Sequence, residues 1–153
     1  MKKQKIIISD ASCIIILEKI GELEILHKLF GSILTTTEIQ QEFGKELPDW
    51  INIEKPSNED YARLVRATLD SGEASAIALS LNYEDPLLIL DDLKARNFAN
   101  KIGINVTGTL GILLNAKSSG VLKSIKPVLA NIEKTNFRLS RELVQKVLEI
   151  AGE

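Results

Sequence analysis

Five acidic residues stand at places where carboxylates can be made to act together: Asp10, Glu42, Glu73, Asp91 and Asp92. Asp10 closes the run Ile6 to Ser9, and the Asp91/Asp92 pair closes the apolar tetrad Leu87 to Leu90. Glu73 opens an alanine-rich segment, and Glu42 lies in a segment of helical spacing. An acid directly behind a buried strand must be solvated, paired or bound to a cation, and several acids gathered at one place repel one another until cations neutralise them. Carboxylate oxygens are hard donors suited to Mg²⁺ or Mn²⁺. Zinc would want thiolates and imidazoles, of which this chain has one each, Cys13 and His27. The residue types therefore point to magnesium chemistry.

Each carboxylate also has an ordinary structural role. Asp10 and Asp91 stand where a helix N-cap is expected. Glu73, in a first helical turn, complements the helix dipole. Glu42 shares its segment with Glu38 and Glu46 at four-residue intervals, so any of the three can face solvent. The set gains weight only if the fold brings its members together, which depends on the elements that carry them.

Those elements follow an α/β rhythm. Short apolar runs at Ile6 to Ile8, Ile33-Leu34, Leu87 to Leu90 and Ile104 to Val106 alternate with longer segments of helical spacing, and the Trp50 to Ile53 stretch separates two of these. Thr37 with Gln40 and Ser57 with Asp60 have capping-box spacing, predicting helices that start near Glu38 and after Ser57. The second of these closes at Ser71-Gly72, and Glu73 to Leu81 reads as a helix buried against a sheet. Helices are also predicted through Ala95 to Ile102, from Thr109 onward, over Pro127 to Ile132 and over Leu139 to Ile150. In open parallel sheets functional groups gather beyond the carboxyl ends of the strands, so Asp10 and Asp91 fall at one edge.

At 153 residues and 44% hydrophobic content the chain fits one domain with its own core. Residues 127–153 are expected to be helices packed on that core. A lone cysteine forms no internal disulfide, which suits a reducing cytoplasm. No apolar run approaches a membrane span, and the N-terminal lysines carry no targeting pattern. The net charge of −2 conceals an asymmetry, with nine Lys/Arg against seventeen Asp/Glu in residues 1–93 and ten against four in residues 94–153. An acidic cluster that holds cations beside a basic surface that meets phosphates has this composition, and so do plain solvated helix faces.

The ordered set Ser9-Asp10-Ala11-Ser12, Glu42, Gly72-Glu73-Ala74-Ser75-Ala76-Ile77 and Leu90-Asp91-Asp92 resembles the signature of the PIN-domain family. The Gly108 to Gly111 segment, continued by Lys117 and Gly120, resembles its prokaryotic branch of predicted nucleases, similar to VapC toxins. The likeness runs nearly the full length. It implies a three-layer fold with a central, mainly parallel sheet flanked by helices, and Mg²⁺- or Mn²⁺-dependent cleavage of single-stranded RNA, often as the toxin of a toxin–antitoxin pair.

Carried over by residue, the resemblance makes Asp10, Glu42, Glu73 and Asp91 or Asp92 the catalytic acids, with Asp10, Glu73, Asp91 and Asp92 as metal ligands. Many PIN nucleases have Asp where Glu73 stands. Asp92 matches the usual family acid by register to the following helix, while Asp91 closes the strand. Ser12, Lys94, Arg96, Thr109 and Lys117 become candidates for contacts to nucleic acid. The implied partners are an RNA substrate, an antitoxin protein that covers the acidic site, and a second copy of the chain. The apolar faces of Leu23 to Phe30 or Leu139 to Ile150 are candidate dimer surfaces.

Two other enzyme classes fit less well. A haloacid-dehalogenase-type phosphohydrolase wants a second Asp two residues after Asp10, where Ser12 stands, and neither glycine-rich phosphate-loop pattern is present. A Ser-His-Asp hydrolase would depend on His27, which falls in an amphipathic segment. The non-enzymatic alternative is an inactive PIN-like protein that binds nucleic acid or protein as a regulatory module.

Overall fold

The computed structural model describes residues 5–153, so Lys2 and Lys3 of the N-terminal lysines lie outside the described residues. Five three-residue strands form one sheet: β1 (Ile7–Ser9), β2 (Ile33–Thr35), β3 (Ile51–Ile53), β4 (Leu87–Ile89) and β5 (Asn105–Thr107). Their order is β3-β2-β1-β4-β5 and every pairing is parallel. The chain winds outward from β1 to β3, then returns to the other side of β1 to lay down β4 and β5. That reversal puts the topological switch, and with it the crevice that open α/β sheets use for function, between the ends of β1 and β4. The strands beside the switch are buried on both faces, as Ile8, Ser9, Leu88 and Ile89 attest, which is why they read as continuous apolar runs.

Helices cover the sheet: α1 (Ala11–Lys19), α2 (Glu24–Phe30), α3 (Thr37–Phe43), α4 (Glu59–Val65), α5 (Ser71–Ser80), α6 (Leu93–Lys101), α7 (Thr109–Ser118), α8 (Lys126–Glu133) and α9 (Arg141–Ile150). The family fold expected above is the one observed, an α/β sheet between helical layers. Its small side chains let α5 lie against β1 and β4 and be packed by α3, α4 and α6 as well, so Gly72 and all of Ala74 to Ser80 are buried. Val128, Leu129 and Ile132 of α8 and Val147 of α9 join the same buried cluster as the sheet residues.

Three helix starts differ from the spacing rules. α3 is capped by Thr36, whose hydroxyl accepts from the Ile39 N–H, rather than by Thr37. Thr36 is buried and bonded at 2.6 Å to the Ser75 hydroxyl of α5, which selects it over its neighbour. α4 is capped by Asn58, through the Tyr61 N–H, rather than by Ser57. α5 starts at Ser71, two residues before Glu73, because Asp70 caps it.

Gly111 has a packing duty. A Cβ there would collide with the Thr107 hydroxyl oxygen of β5. Ordinarily Gly→Ala inside a helix gains up to about 1 kcal/mol. Here Gly111→Ala is expected to lose about 1–3 kcal/mol by overpacking. Urea denaturation of the single variant and of Gly111→Ala/Thr107→Ala checks this: the second change should recover most of the loss, and a stabilised single variant would contradict the contact.

Candidate active site

At the carboxyl end of β1, Asp10 has extended backbone and caps α1. Its Oδ1 accepts from the Cys13 N–H and its Oδ2 from the Asp91 N–H, both at 3.0 Å. The carboxyl is thus fixed across the switch point, and at 4% exposure it is nearly cut off from solvent. Burial, and next the charge of Asp91, push its pKa up to about 8, against the opposing pull of the two backbone donors. The neighbouring Cys13 thiol is wholly buried and pushed up by the same burial and the same two carboxylates, so it is a neutral core group.

Asp91 turns its carboxylate toward β5. Its Oδ1 accepts from the Thr109 N–H at 2.7 Å and its Oδ2 from the Thr109 hydroxyl at 2.6 Å. This supplies a cap that α7 lacks locally, since Gly108 precedes it. Gly108 is needed for the approach, because a Cβ there would stand 2.9 Å from Asp91 Oδ1. Asp92 is engaged on its own helix, close enough for its charge to act on Glu73. Its Oδ2 caps α6 through the Ala95 N–H at 2.9 Å, and the residue is exposed.

From the other side, α5 brings Glu73 and α3 brings Glu42. Asp70 caps α5 through the Glu73 N–H at 2.9 Å and so stands beside both. Glu73 is half-buried. Burial, then the charge and hydrogen bonding of Asp70, then Asp92, push its pKa up to about 7. Glu42 is raised by partial burial and by Asp70. Its Oε1 lies 3.2 Å from where a Cβ on Gly72 would be, so Gly72 leaves room for this carboxylate against the α5 start. The Thr36–Ser75 bond ties α3 to α5, and Ser75 also donates to the Gly72 carbonyl at 2.7 Å. Asp10, Ser12, Glu42, Asp70 and Glu73 line a space of about 30 Å³, close to the share of one water in the liquid.

The fold therefore brings Asp10, Ser12, Glu42 and Glu73 to one space and sets Asp91 and Asp92 beside it. Asp70 escaped the sequence analysis, although its three-residue spacing to Glu73 is the signature of a capped helix start. Among the described residues no three His, Cys, Asp or Glu side chains are placed tightly enough to grip a metal as they stand. The donor set fits a hard divalent cation on other grounds: its donors are carboxylate oxygens, and the crowding that raises Asp10 and Glu73 is what a cation would relieve.

The nucleic-acid candidates divide. Ser12 and Lys94 are exposed near the carboxylates in sequence and fold, and Arg96 is half-buried with a guanidinium nitrogen 3.6 Å from the Cβ position of Gly108. Thr109 is corrected: it is completely buried and its hydroxyl is spent on Asp91, so it positions that acid and meets no ligand. Lys117 is corrected too. It sits eight residues along α7 from Thr109, roughly 12 Å at helical rise, and its ammonium is held by Glu153 at 2.9 Å. His27 is exposed, stacked on Trp50 with ring centroids 5.0 Å apart, as an ordinary helix histidine.

Glu153 also takes the Ser124 hydroxyl and the Ile125 and Lys126 N–H groups, tying the end of the chain to the α8 start. These donors, Ser124 foremost, hold its pKa down at about 2. A carboxylate depressed from its usual 4.5 adds stability that is present above about pH 4.5 and lost as pH falls toward about 2. Glu153→Gln is expected to lower the melting temperature at neutral pH and to flatten its decline over that acid window. A variant that melts like the wild type at neutral pH would dismiss the clasp.

A family model described as PIN domain matches residues 6–153. No curated protein matches the chain. Among the described residues no helix is long and apolar enough to cross a membrane.

Proposed function

Because this chain belongs to the PIN-domain family, whose members are generally nucleases, we propose that it cleaves the phosphodiester bonds of single-stranded RNA with Mg²⁺ or Mn²⁺ held among Asp10, Glu73 and Asp92. One observation carries the reading: the buried Asp10 and half-buried Glu73 carboxyls, from different elements, line one small space and are pushed up to about 8 and about 7. Burial and a neighbouring carboxylate raise both groups, the combination that marks candidates for a functional site. A bound divalent cation supplies charge stabilisation at the phosphate and a water acidified toward neutrality.

The chain's own residues do the rest. Asp10 is held by two backbone donors that leave a lone pair on each oxygen for a ligand. Asp92 keeps Oδ1 open to solvent while Oδ2 caps α6, whereas both oxygens of Asp91 are engaged by Thr109. This favours Asp92 as the ligand and Asp91 as the residue that fixes Asp10 and α7. Glu42 and Asp70 stand near enough to take or return a proton through water. Lys94 and Arg96 flank the site for phosphate binding. Neutralising both is expected to lower RNA affinity and to reduce the slope of log K against log salt by about one for each phosphate no longer neutralised. An unchanged slope in a salt titration would remove them from the interface.

As the toxin of a pair, the chain would be silenced by a protein segment that seats a basic side chain among these carboxylates. The inactive, regulatory reading is favoured by one fact, that among the described residues the carboxylates are not drawn together tightly enough to grip a metal as they stand. Incubation with single-stranded and duplex RNA separates the readings. Cleavage of the single strand that stops with a chelator supports the nuclease. Binding without cleavage supports the module, and chelator-resistant cleavage contradicts the metal.

A further inference from the structure

A second cavity, of about 300 Å³, opens on the far side of Asp91. Its walls come from Arg96 of α6, Leu110 of α7, Leu143 of α9, and Phe137 and Arg138 of the connection between α8 and α9. We propose that this cavity is the subsite for the nucleoside adjoining the scissile phosphate, with its base against Phe137 and the leucines and its phosphate between Arg96 and Arg138. The proposal rests on the nuclease reading for its substrate class, but its evidence lies outside the carboxylate cluster.

Position argues first. Asp91 lies on the wall of this cavity and its backbone N–H holds the Asp10 carboxylate on the wall of the acidic space, so one hydrogen bond joins the two. Gly108 lies between Asp91 and Arg96, where a Cβ would stand 2.9 Å from the carboxylate and 3.6 Å from the guanidinium. Its bare backbone leaves open the space between these two groups, which form no ion pair among the described residues. On this proposal a strand puts its phosphate at the acidic side and its next residue in the cavity.

Chemistry selects the occupant. Neither Arg96 nor Arg138 forms an ion pair among the described residues, so both guanidinium groups are available on a wall whose one carboxylate, Asp91, is engaged by Thr109. Planar guanidinium forks suit phosphate, and an aromatic ring among apolar side chains suits a base of any identity. The volume lies at the low end of small-ligand sites, the scale of one nucleotide rather than of a folded partner. The wall is also set in advance. Thr135 donates its hydroxyl to the Ile132 carbonyl at 2.6 Å and accepts from the Phe137 N–H at 3.1 Å, fixing the turn that presents Phe137.

The test uses the full chain, with Arg138→Ala and Phe137→Ala variants. Binding of the four 5′-nucleoside monophosphates is measured by equilibrium dialysis in EDTA, and cleavage of a random-sequence single-stranded RNA pool is measured with Mn²⁺. At least one nucleotide is expected to bind, roughly tenfold more weakly in each variant. In the cleavage arm the variants are expected to raise KM by a similar factor, leave kcat within about twofold, and flatten the base preference beside the cut. Arg138 is exposed, so its truncation leaves the fold intact even if Phe137→Ala does not. Variant-sensitive nucleotide binding without any wild-type cleavage would support the subsite while overturning the nuclease reading. Wild-type cleavage with KM, base preference and nucleotide binding unchanged in Arg138→Ala would overturn the subsite and point to a protein segment as occupant.

Discussion

Asp10→Asn is expected to lower RNA cleavage on the order of 10²–10³-fold, without recovery at saturating Mg²⁺ or Mn²⁺, the scale of removing one preorganised electrostatic group from a reaction centre. The substitution acts twice. It removes a negative charge from the most buried of the site carboxylates. It also breaks the crossing of the switch point, because an asparagine whose oxygen accepts from the Cys13 N–H turns its NH₂ toward the Asp91 N–H, a donor facing a donor. Asp91 must then shift, and with it the Thr109 cap on α7. Glu42→Gln is the informative comparison, since Glu42 is exposed and no hydrogen bond fixes it, so a loss of about tenfold is expected there. Initial rates across a cation titration check both. Equal losses at the two positions would contradict the ranking, and an active Asp10→Asn would remove Asp10 from the reaction.

The second large effect is in stability and its sign runs against the usual carboxylate. Asp10 is raised from 3.8 to about 8 and Glu73 from 4.5 to about 7. Between those limits the folded chain holds protons that the unfolded chain has released. The contribution is fully present below about pH 4 and is lost as pH rises through about 7 to 8. Asp10 dominates, since it is buried, while the Glu73 share is reduced by solvent screening. Metal-free protein is therefore expected to melt lower near pH 8 than near pH 5, by an amount equivalent to a few kcal/mol as an order of magnitude. Divalent cation is expected to reverse this, adding about 2.7 kcal/mol at a hundred times its Kd. Its effect should grow with pH, because protons compete for the same oxygens. Melting curves over that range, with EDTA and with Mn²⁺, decide it. A cation shift that is the same at both pH values would contradict the titration of these two groups.

Much of this was legible in the order of the residues. An acid placed directly behind a continuous apolar strand has few fates, so Asp10 and Asp91 could be read from their neighbours, and Glu73 from the alanine-rich helix it opens. Local chemistry misled where two readings compete within a few residues. Of the threonines at 35 to 37, the one that caps α3 is chosen by the Ser75 hydroxyl, 39 residues away. Asp70 was hidden for a simpler reason: Ser71-Gly72 reads as a helix stop, whereas it is the first turn of α5 after its cap. What the sequence could not reveal is non-local. Thr109 looks like a cap donor or a phosphate ligand until Asp91, 18 residues earlier and just beyond the neighbouring strand β4, takes both its donors. Lys117 looks free until Glu153 reaches it. The glycines of the Gly-Glu and Gly-Thr-Leu-Gly segments likewise acquire reasons only in three dimensions, as spaces kept for Glu42, Asp91 and Thr107.

The proposed function makes these carboxylates a cation site that cuts RNA. Calorimetric titration of Mn²⁺ into the wild type and into Asp10→Asn/Asp92→Asn, followed by incubation of both with single-stranded RNA, tests it most directly. Binding and cleavage by the wild type, with both lost in the double variant, is the expected result. An absence of heat at millimolar Mn²⁺, or cleavage that survives in the double variant, would contradict it.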